Sequence, residues 1–360
     1  MQKSTFHYTE LLEFLSETEP GVLATVIRTH GSTPQKAGNS ALFGSGKLLA
    51  GTIGGGITES KLVRESVVLL KSKKSKLFSF DLHGEIAKDS DSICGGGMTI
   101  FLDANPEKHE ETFVQLKESL EKRICGVLIT WIDQSNPEEI ETRRYWITKD
   151  KELFFPGELG LAVDVVLSEM LENQQAICRN IEVLNPETGS NILVFFECIV
   201  PKPSLFIAGA GHIGRALAHL CKFLDFEVIV WDDRAEFADK AQITDADLVL
   251  TGSIDLAMEH SSFRTDSYLV IVTRGHKNDA EVLRKFISKP SAYLGMIGSQ
   301  RKVALMRASF LENKWATPAE WERVFAPVGL NIGAQTVEEI ALSIAAQLLK
   351  VRNQKKRING

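Results

Sequence analysis

Long apolar runs are missing from this chain of 360 residues. No stretch reaches the roughly 18 apolar residues that span a bilayer, and the first twenty residues hold no apolar signal core. Neither a membrane span nor an export signal is expected, and the sequence reads as cytoplasmic. Cysteine is scarce: Cys94, Cys125, Cys178, Cys198 and Cys221 are odd in number, far apart and without a C-x-x-C pair. Such usage fits a reducing compartment and excludes a disulfide framework. Metal-ligand spacing is absent too, because His30, His83 and His276 stand isolated and no H-x-x-x-H pattern occurs. There is no G-x-S-x-G elbow and no Walker-type loop. A basic excess is also lacking. The net charge of −6 argues against nucleic acid as the main partner. The Lys71–Lys76 run reads as a solvated loop, and Lys350, Arg352, Lys355, Lys356 and Arg357 read as a solvated helix end.

What is present is the composition of an ordinary globular protein, 44% hydrophobic and 24% charged, long enough for two domains. The most informative segment is Leu205-Phe206-Ile207-Ala208-Gly209-Ala210-Gly211-His212-Ile213-Gly214. An apolar strand runs into a G-x-G-x-x-G turn, and a helical pattern follows. That order delivers the chain to a helix N-terminus, where free amides and the helix dipole attract phosphate. Gly209 suits the tight turn, Gly211 the close approach of a phosphate, and Gly214 close packing of helix on strand. A second strand, Glu227–Trp231, ends at Asp232-Asp233-Arg234, about where a ribose-binding carboxylate is expected.

From Ser204 onward strands and helices alternate, with strands expected at 205–209, 227–231, 248–250, 268–273 and 292–297. This predicts a doubly wound parallel sheet of Rossmann type. The last helix opens on Thr336-Val337-Glu338-Glu339, a capping-box pattern, and carries an apolar stripe from Ile340 to Leu349. Upstream, strands are expected at 22–29, 77–82, 98–102, 126–131, 144–148 and 192–199, with a hairpin over 41–50. Helices are expected near 8–17, 58–70, 109–121 and 161–174. Without regular alternation this half reads as α+β. Pro201-Lys202-Pro203 marks the joint. The predicted domains are thus 1–200 (α+β), 201–349 (Rossmann-like) and a basic tail over 350–360.

Several loops carry candidate chemistry. Ligands of open α/β sheets bind beyond the carboxyl ends of the strands. Two loops there, Thr273–Asp279 and Gly298–Lys302, bring His276, Ser299, Arg301 and Lys302. Two cations in the first turn of a helix oppose its dipole, so either an anion binds there or they point to solvent. His212 and His276 suit phosphate binding or acid–base work, or simple structural hydrogen bonding. In the first half, Gly54-Gly55-Gly56 with Glu59 reads as an anion-binding nest or as a plain turn. Cys94, followed by three glycines, reads as an open thiol or as a buried structural cysteine.

The two halves together resemble the XdhC/CoxI family, accessory proteins of xanthine dehydrogenase and related molybdenum hydroxylases. The resemblance rests on Gly31–Pro34, Gly51–Glu59 and Cys94-Gly95-Gly96 in the first half. In the second it rests on Gly209–Gly214, Asp232–Arg234, Thr273–His276, Tyr293–Lys302, Pro327–Ala334 and Glu338–Ala346. It implies a protein that binds molybdenum cofactor as cargo and hands it over in sulfurated form to a xanthine dehydrogenase-type apoenzyme. It also implies a homodimer and a cysteine desulfurase as a further partner. The family's triple glycine is typically followed by cysteine, and here that position is Ile57. If that thiol serves the cofactor, the resemblance implies that this protein either relies on Cys94 or has lost the function. The residue-level reading keeps two alternatives open: an NAD(P)-dependent oxidoreductase using His276 as proton donor, and a scaffold with a vestigial nucleotide site.

Overall fold

A computed structural model describes residues 8–16, 20–81, 96–136, 139–150, 157–173, 177–184, 189–261 and 263–358. Cys94, the candidate thiol, lies outside them. The chain divides into two compact units, Met1–Pro201 and Lys202–Gly360.

The elements of the first unit are α1 (Tyr8–Ser16), β1 (Gly21–Gly31), β2 (Ser40–Gly44), β3 (Lys47–Gly51), α2 (Gly56–Ser72), β4 (Lys76–Asp81) and β5 (Gly96–Asp103). They continue with α3 (Glu110–Glu121), β6 (Gly126–Asp133), β7 (Glu141–Thr148), α4 (Gly157–Asn173), β8 (Cys178–Leu184) and β9 (Asn191–Ile199). Two antiparallel sheets form, ordered β3-β2-β1-β5-β4 and β7-β6-β9-β8. Side chains alternate across a strand, so β1 has two apolar faces. Val22, Ala24 and Val26 join Leu62 and Leu69 of α2, whereas Leu23 and Ile27 meet residues of the other sheet. Likewise Val127 and Ile129 of β6 pack with Val163 and Leu167 of α4, and Leu128 and Ile132 face β1 and β5. The result is four layers, helix–sheet–sheet–helix. Central strands buried on both faces explain why β1 and β6 read as continuous apolar runs.

The second unit holds β10 (Ser204–Ala208), α5 (His212–Phe223), β11 (Glu227–Asp232), β12 (Leu248–Thr251), α6 (Ile254–His260), β13 (Tyr268–Ile271), α7 (His276–Phe286) and β14 (Tyr293–Met296). It ends with α8 (Gln300–Glu312), α9 (Pro318–Glu322), β15 (Val324–Phe325) and α10 (Val337–Ile358). All six strands are parallel, in the order β12-β11-β10-β13-β14-β15. Leu217 and Cys221 of α5 and Ile344 and Leu348 of α10 cover one face. Ile254 of α6, Phe286 of α7 and Phe310 of α8 cover the other. This is the doubly wound Rossmann architecture, with its topological switch between β10 and β13.

Three differences from the sequence reading have physical causes. Strand β8 was not anticipated, because this edge strand is only partly buried and carries Arg179 and Glu182 in its middle. The two-residue β15 is too short to leave a periodic signal. The helix α10 runs on through Ile358, so most of 350–360 is helix and not a separate tail. There Arg352 donates to the Leu224 carbonyl at 2.9 Å and lies over the Phe226 ring, 4.9 Å from its centre.

Candidate functional site

The switch point of the second unit is built from glycine geometry. Gly209 has φ of +122°, and its amide donates to the Trp231 carbonyl at 2.7 Å. A Cβ on Gly209 would lie 2.4 Å from the Val272 carbonyl oxygen, and one on Gly214 would lie 1.9 Å from the Gly209 oxygen. Both positions therefore exclude a side chain. Gly211 differs, for a Cβ there would meet no atom within 4 Å. It is the N-cap of α5, with no side chain bonded to the helix end. Across the switch, Gly275 (φ +92°) opens α7 in the same way, uncapped and with open space beside it. His212 and His276 occupy the first helical positions, and both are exposed. Two helix N-termini with free amides thus flank the crevice where ligands of this fold bind.

The charged candidates are distributed less freely than their sequence positions promise. Asp232, expected to face a ribose, is buried, and its carboxylate is committed within the chain. It accepts from the Ala210 amide at 2.8 Å and from Arg234 through the amide (3.1 Å), Nε (2.8 Å) and Nη2 (3.0 Å). Burial pushes this carboxyl up, but the Arg234 and Ala210 hydrogen bonds outweigh it and hold it below the ordinary value. Arg234 in turn lies 3.8 Å from the Phe237 ring centre. The neighbouring Asp233 is the more open carboxylate, held by Asn278 Nδ2 at 3.3 Å.

Lys302 is similarly committed. Its ammonium pairs with the fully buried Asp279 of α7 and donates to the Ile297 carbonyl at 3.2 Å. Asp279 also accepts from the Thr273 amide (3.1 Å) and hydroxyl (2.6 Å), so one buried carboxylate ties two loops together. The anion that offsets this cation at the α8 N-terminus belongs to the protein itself. Ser299 caps α8, its Oγ accepting from the Lys302 amide at 3.3 Å. Arg301 and His276 remain exposed.

The candidate nest of the first unit shows the same economy. Gly54, Gly55 and Gly56 all have positive φ (111°, 72° and 56°). Glu59 Oε1 accepts from the Thr52 hydroxyl (2.6 Å), the Ile53 amide (3.0 Å) and the Gly55 amide (3.0 Å). The loop is an anion cradle, as its glycines suggest, and a side chain of its own helix fills it. Ile57, where the family typically carries cysteine, packs against the core beneath α2.

Sequence reasoning overlooked Asp279 as the organiser of its loop, and Gly275 as a helix-opening glycine. The positive-φ glycine before a polar first turn is the signal that exposes the latter. Among the described residues no His/Cys/Asp/Glu group is arranged to hold a metal ion, and no helix is long and apolar enough to cross a membrane. Burial pushes the thiols of Cys198 and Cys221 up to about 12 and raises that of Cys178 as well, so these three are poor nucleophiles.

A doubly wound parallel sheet with glycine-opened helix N-termini at its switch point defines the Rossmann-type class of fold. Residues 205–348 match the family model described as the XdhC Rossmann domain, and residues 14–81 match that of the XdhC and CoxI family. The chain belongs to the XdhC/CoxI family. It is 27% identical over 352 residues to a Bacillus subtilis (strain 168) protein named as a probable xanthine dehydrogenase subunit, covering 97% of this chain and 98% of that one. It is 25% identical over 351 residues to the Escherichia coli (strain K12) protein YqeB, covering 96% of this chain but only 46% of that protein. A crystal structure from Bacillus halodurans, described as a xanthine dehydrogenase, shares the fold. Its TM-score is 0.76 at 23% identity, with 99% of this chain and 98% of that one covered.

Proposed function

We propose that this protein is a carrier of molybdenum cofactor, which it protects and delivers in sulfurated form to a xanthine dehydrogenase-type apoenzyme. The observation that carries this reading is the pair of uncapped, glycine-opened helix N-termini of α5 and α7 at the switch point. The cofactor's pterin ends in a phosphate or, in dinucleotide forms, a diphosphate. The Gly211 and His212 amides and the open side of Gly275 suit such a group. Arg301 would add charge and His276 a hydrogen-bonding ring at the rim, while Asp232, Arg234, Ser299 and Lys302 hold the loops in shape. In this reading the protein binds, orients and shields. Its partners are the apoenzyme and a cysteine desulfurase, its working form is a homodimer, and Cys94 is the thiol that meets the cofactor. Family membership and the name of the Bacillus subtilis relative support this assignment.

The test is retention. Protein incubated without oxygen with cofactor released from a molybdoenzyme is passed through gel filtration, and molybdenum and pterin are counted in the protein peak. Near-stoichiometric retention is expected, together with faster activation of an apoenzyme. Gly211→Asp, which places a carboxylate among the free amides, should abolish both. Clean separation of cofactor from wild-type protein would refute the carrier reading. Cys94→Ala should retain cofactor yet deliver less of it sulfurated.

An NAD(P)-dependent oxidoreductase draws on the same glycine loop. It fits less well, because Asp232 has no free oxygen for ribose hydroxyls. The hollow between Trp231 and Asn278 also measures only about 80 Å³, against roughly 300 Å³ or more for small-molecule sites. Calorimetric titration with NAD and NADP decides between the readings.

A further inference from the structure

A long groove runs between α7 and α8 on the surface of the second unit. Its volume is about 1170 Å³, above the roughly 300–1,000 Å³ of small-ligand sites. Its walls are two helical stripes. On α7 these are His276, Ala280 and Arg284, with Lys277, Glu281 and Lys285 one position on; on α8 they are Lys302, Leu305, Met306, Ser309 and Phe310. The i, i+4, i+8 spacing shows that the groove follows the helices for about 12 Å, two turns or more, and does not cross them.

Its floor is apolar and open. Leu305 is 65% exposed in mid-helix, and Trp315 is 37% exposed at the far end, with the Arg284 guanidinium 4.6 Å from its ring centre. The rim is basic in a chain of net charge −6. Lys277, Arg284, Lys285 and Lys302 face one carboxylate in the groove, that of Glu281. Lys285 is neutralised from outside by Asp255, and Lys302 by Asp279. Lys277 and Arg284 have no carboxylate partner among the described residues. Both helices follow parallel strands, so their positive N-terminal ends lie together at the His276 and Lys302 end.

We propose that this groove receives an amphipathic, acidic α-helix from a partner protein. Its leucine or phenylalanine side chains would lie on Leu305 and Met306 and against Trp315. Its Asp or Glu side chains would meet Lys277 and Arg284. The helix runs antiparallel to α7 and α8, so that its negative C-terminal end meets their positive N-terminal ends. Charge complementarity selects an acidic helix over a basic one, and the exposed apolar floor selects an amphipathic helix over a purely polar chain. The groove meets the site of the carrier reading at Gly275, His276 and Lys302, but the inference does not rest on that reading, since Lys277, Arg284, Leu305 and Trp315 take no part in it.

The probe is a fluorescein-labelled, end-blocked peptide of about fourteen residues, with leucine or phenylalanine at every third or fourth position and glutamate elsewhere. Anisotropy with the full-length protein at low salt should rise to saturation. Half-saturation should weaken about tenfold or more in Leu305→Asp and in the Lys277→Glu/Arg284→Glu double variant, and with added salt. The altered residues are at the surface, and circular dichroism checks that each variant is folded. The same peptide with lysine for glutamate should not bind. Absence of saturation, equal binding to wild type and variants, or displacement of the peptide by micromolar nucleoside monophosphate would overturn the proposal, the last by assigning the groove to a small anion.

Discussion

Gly214 has Ile207 on one side and the Gly209 carbonyl on the other, leaving no room for a methyl group. Gly214→Ala should therefore destabilise the second unit by about 1–3 kcal/mol or more, read as a lower midpoint in urea. Gly211→Ala adds its methyl to open space and should unfold near the wild-type midpoint while losing affinity for cargo. A second prediction concerns Glu197. Burial pushes its carboxyl up from 4.5 to about 7, against the lowering effects of the Tyr8 hydrogen bond (2.7 Å) and of Arg144. An acid whose folded value is raised binds its proton more tightly in the folded state. The penalty for ionising it is absent below about 4.5, grows between 4.5 and 7, and is complete above 7. Glu197→Gln should thus leave stability near pH 4 unchanged and raise it at pH 8 by about 1–3 kcal/mol. Denaturant melts across that pH range check both limbs.

Among the elements, the loop before α2 shows how a helix end is satisfied from within. Glu59 lies in the first turn, and its carboxylate collects two backbone amides and the Thr52 hydroxyl. Glu59→Ala should cost about 1–3 kcal/mol, because those donors lose their acceptor in a partly buried loop. It should also leave a vacant cradle. Millimolar sulfate or phosphate is then expected to raise the thermal midpoint of the variant more than that of the wild type, and equal shifts would show that the loop holds no anion. The α7–α8 pair is bound in a related way through Asp279 and Lys302. Removing the Lys302 charge leaves Asp279 buried without its partner, and Asp279→Asn, which weakens the acceptor shared by Thr273 and Lys302, should loosen both loops at once.

For the whole molecule, two constructions of different character follow one another in the chain. The first unit packs two antiparallel sheets between α2 and α4, and the second wraps one parallel sheet with helices on both faces. Hydrogen exchange should be slowest at β10 and β13, which are buried and paired on both sides, and fastest among strands of that sheet at the edges β12 and β15.

The parallel half was legible in the amino-acid order because its signals are local. A buried strand, a glycine turn and an amphipathic helix each reveal themselves within about a dozen residues, and Gly209 and Gly214 admit no other residue. The layering of the first half was not, since β1 and β6 bury both faces and an apolar run does not say which partner covers which side. Nor does sequence say which charges remain free to meet a ligand. Asp232, Lys302 and Glu59 all stand where a ligand-binding group belongs, and folding brings each to a partner within the chain: Arg234 and the Ala210 amide, Asp279, and the Thr52–Gly55 loop. Electrostatic pairing depends on distance in space, whereas backbone conformation depends on neighbours in the chain. The phosphate-seeking turn was therefore written in the sequence, and the choice of which amides stay open was made only by the tertiary structure.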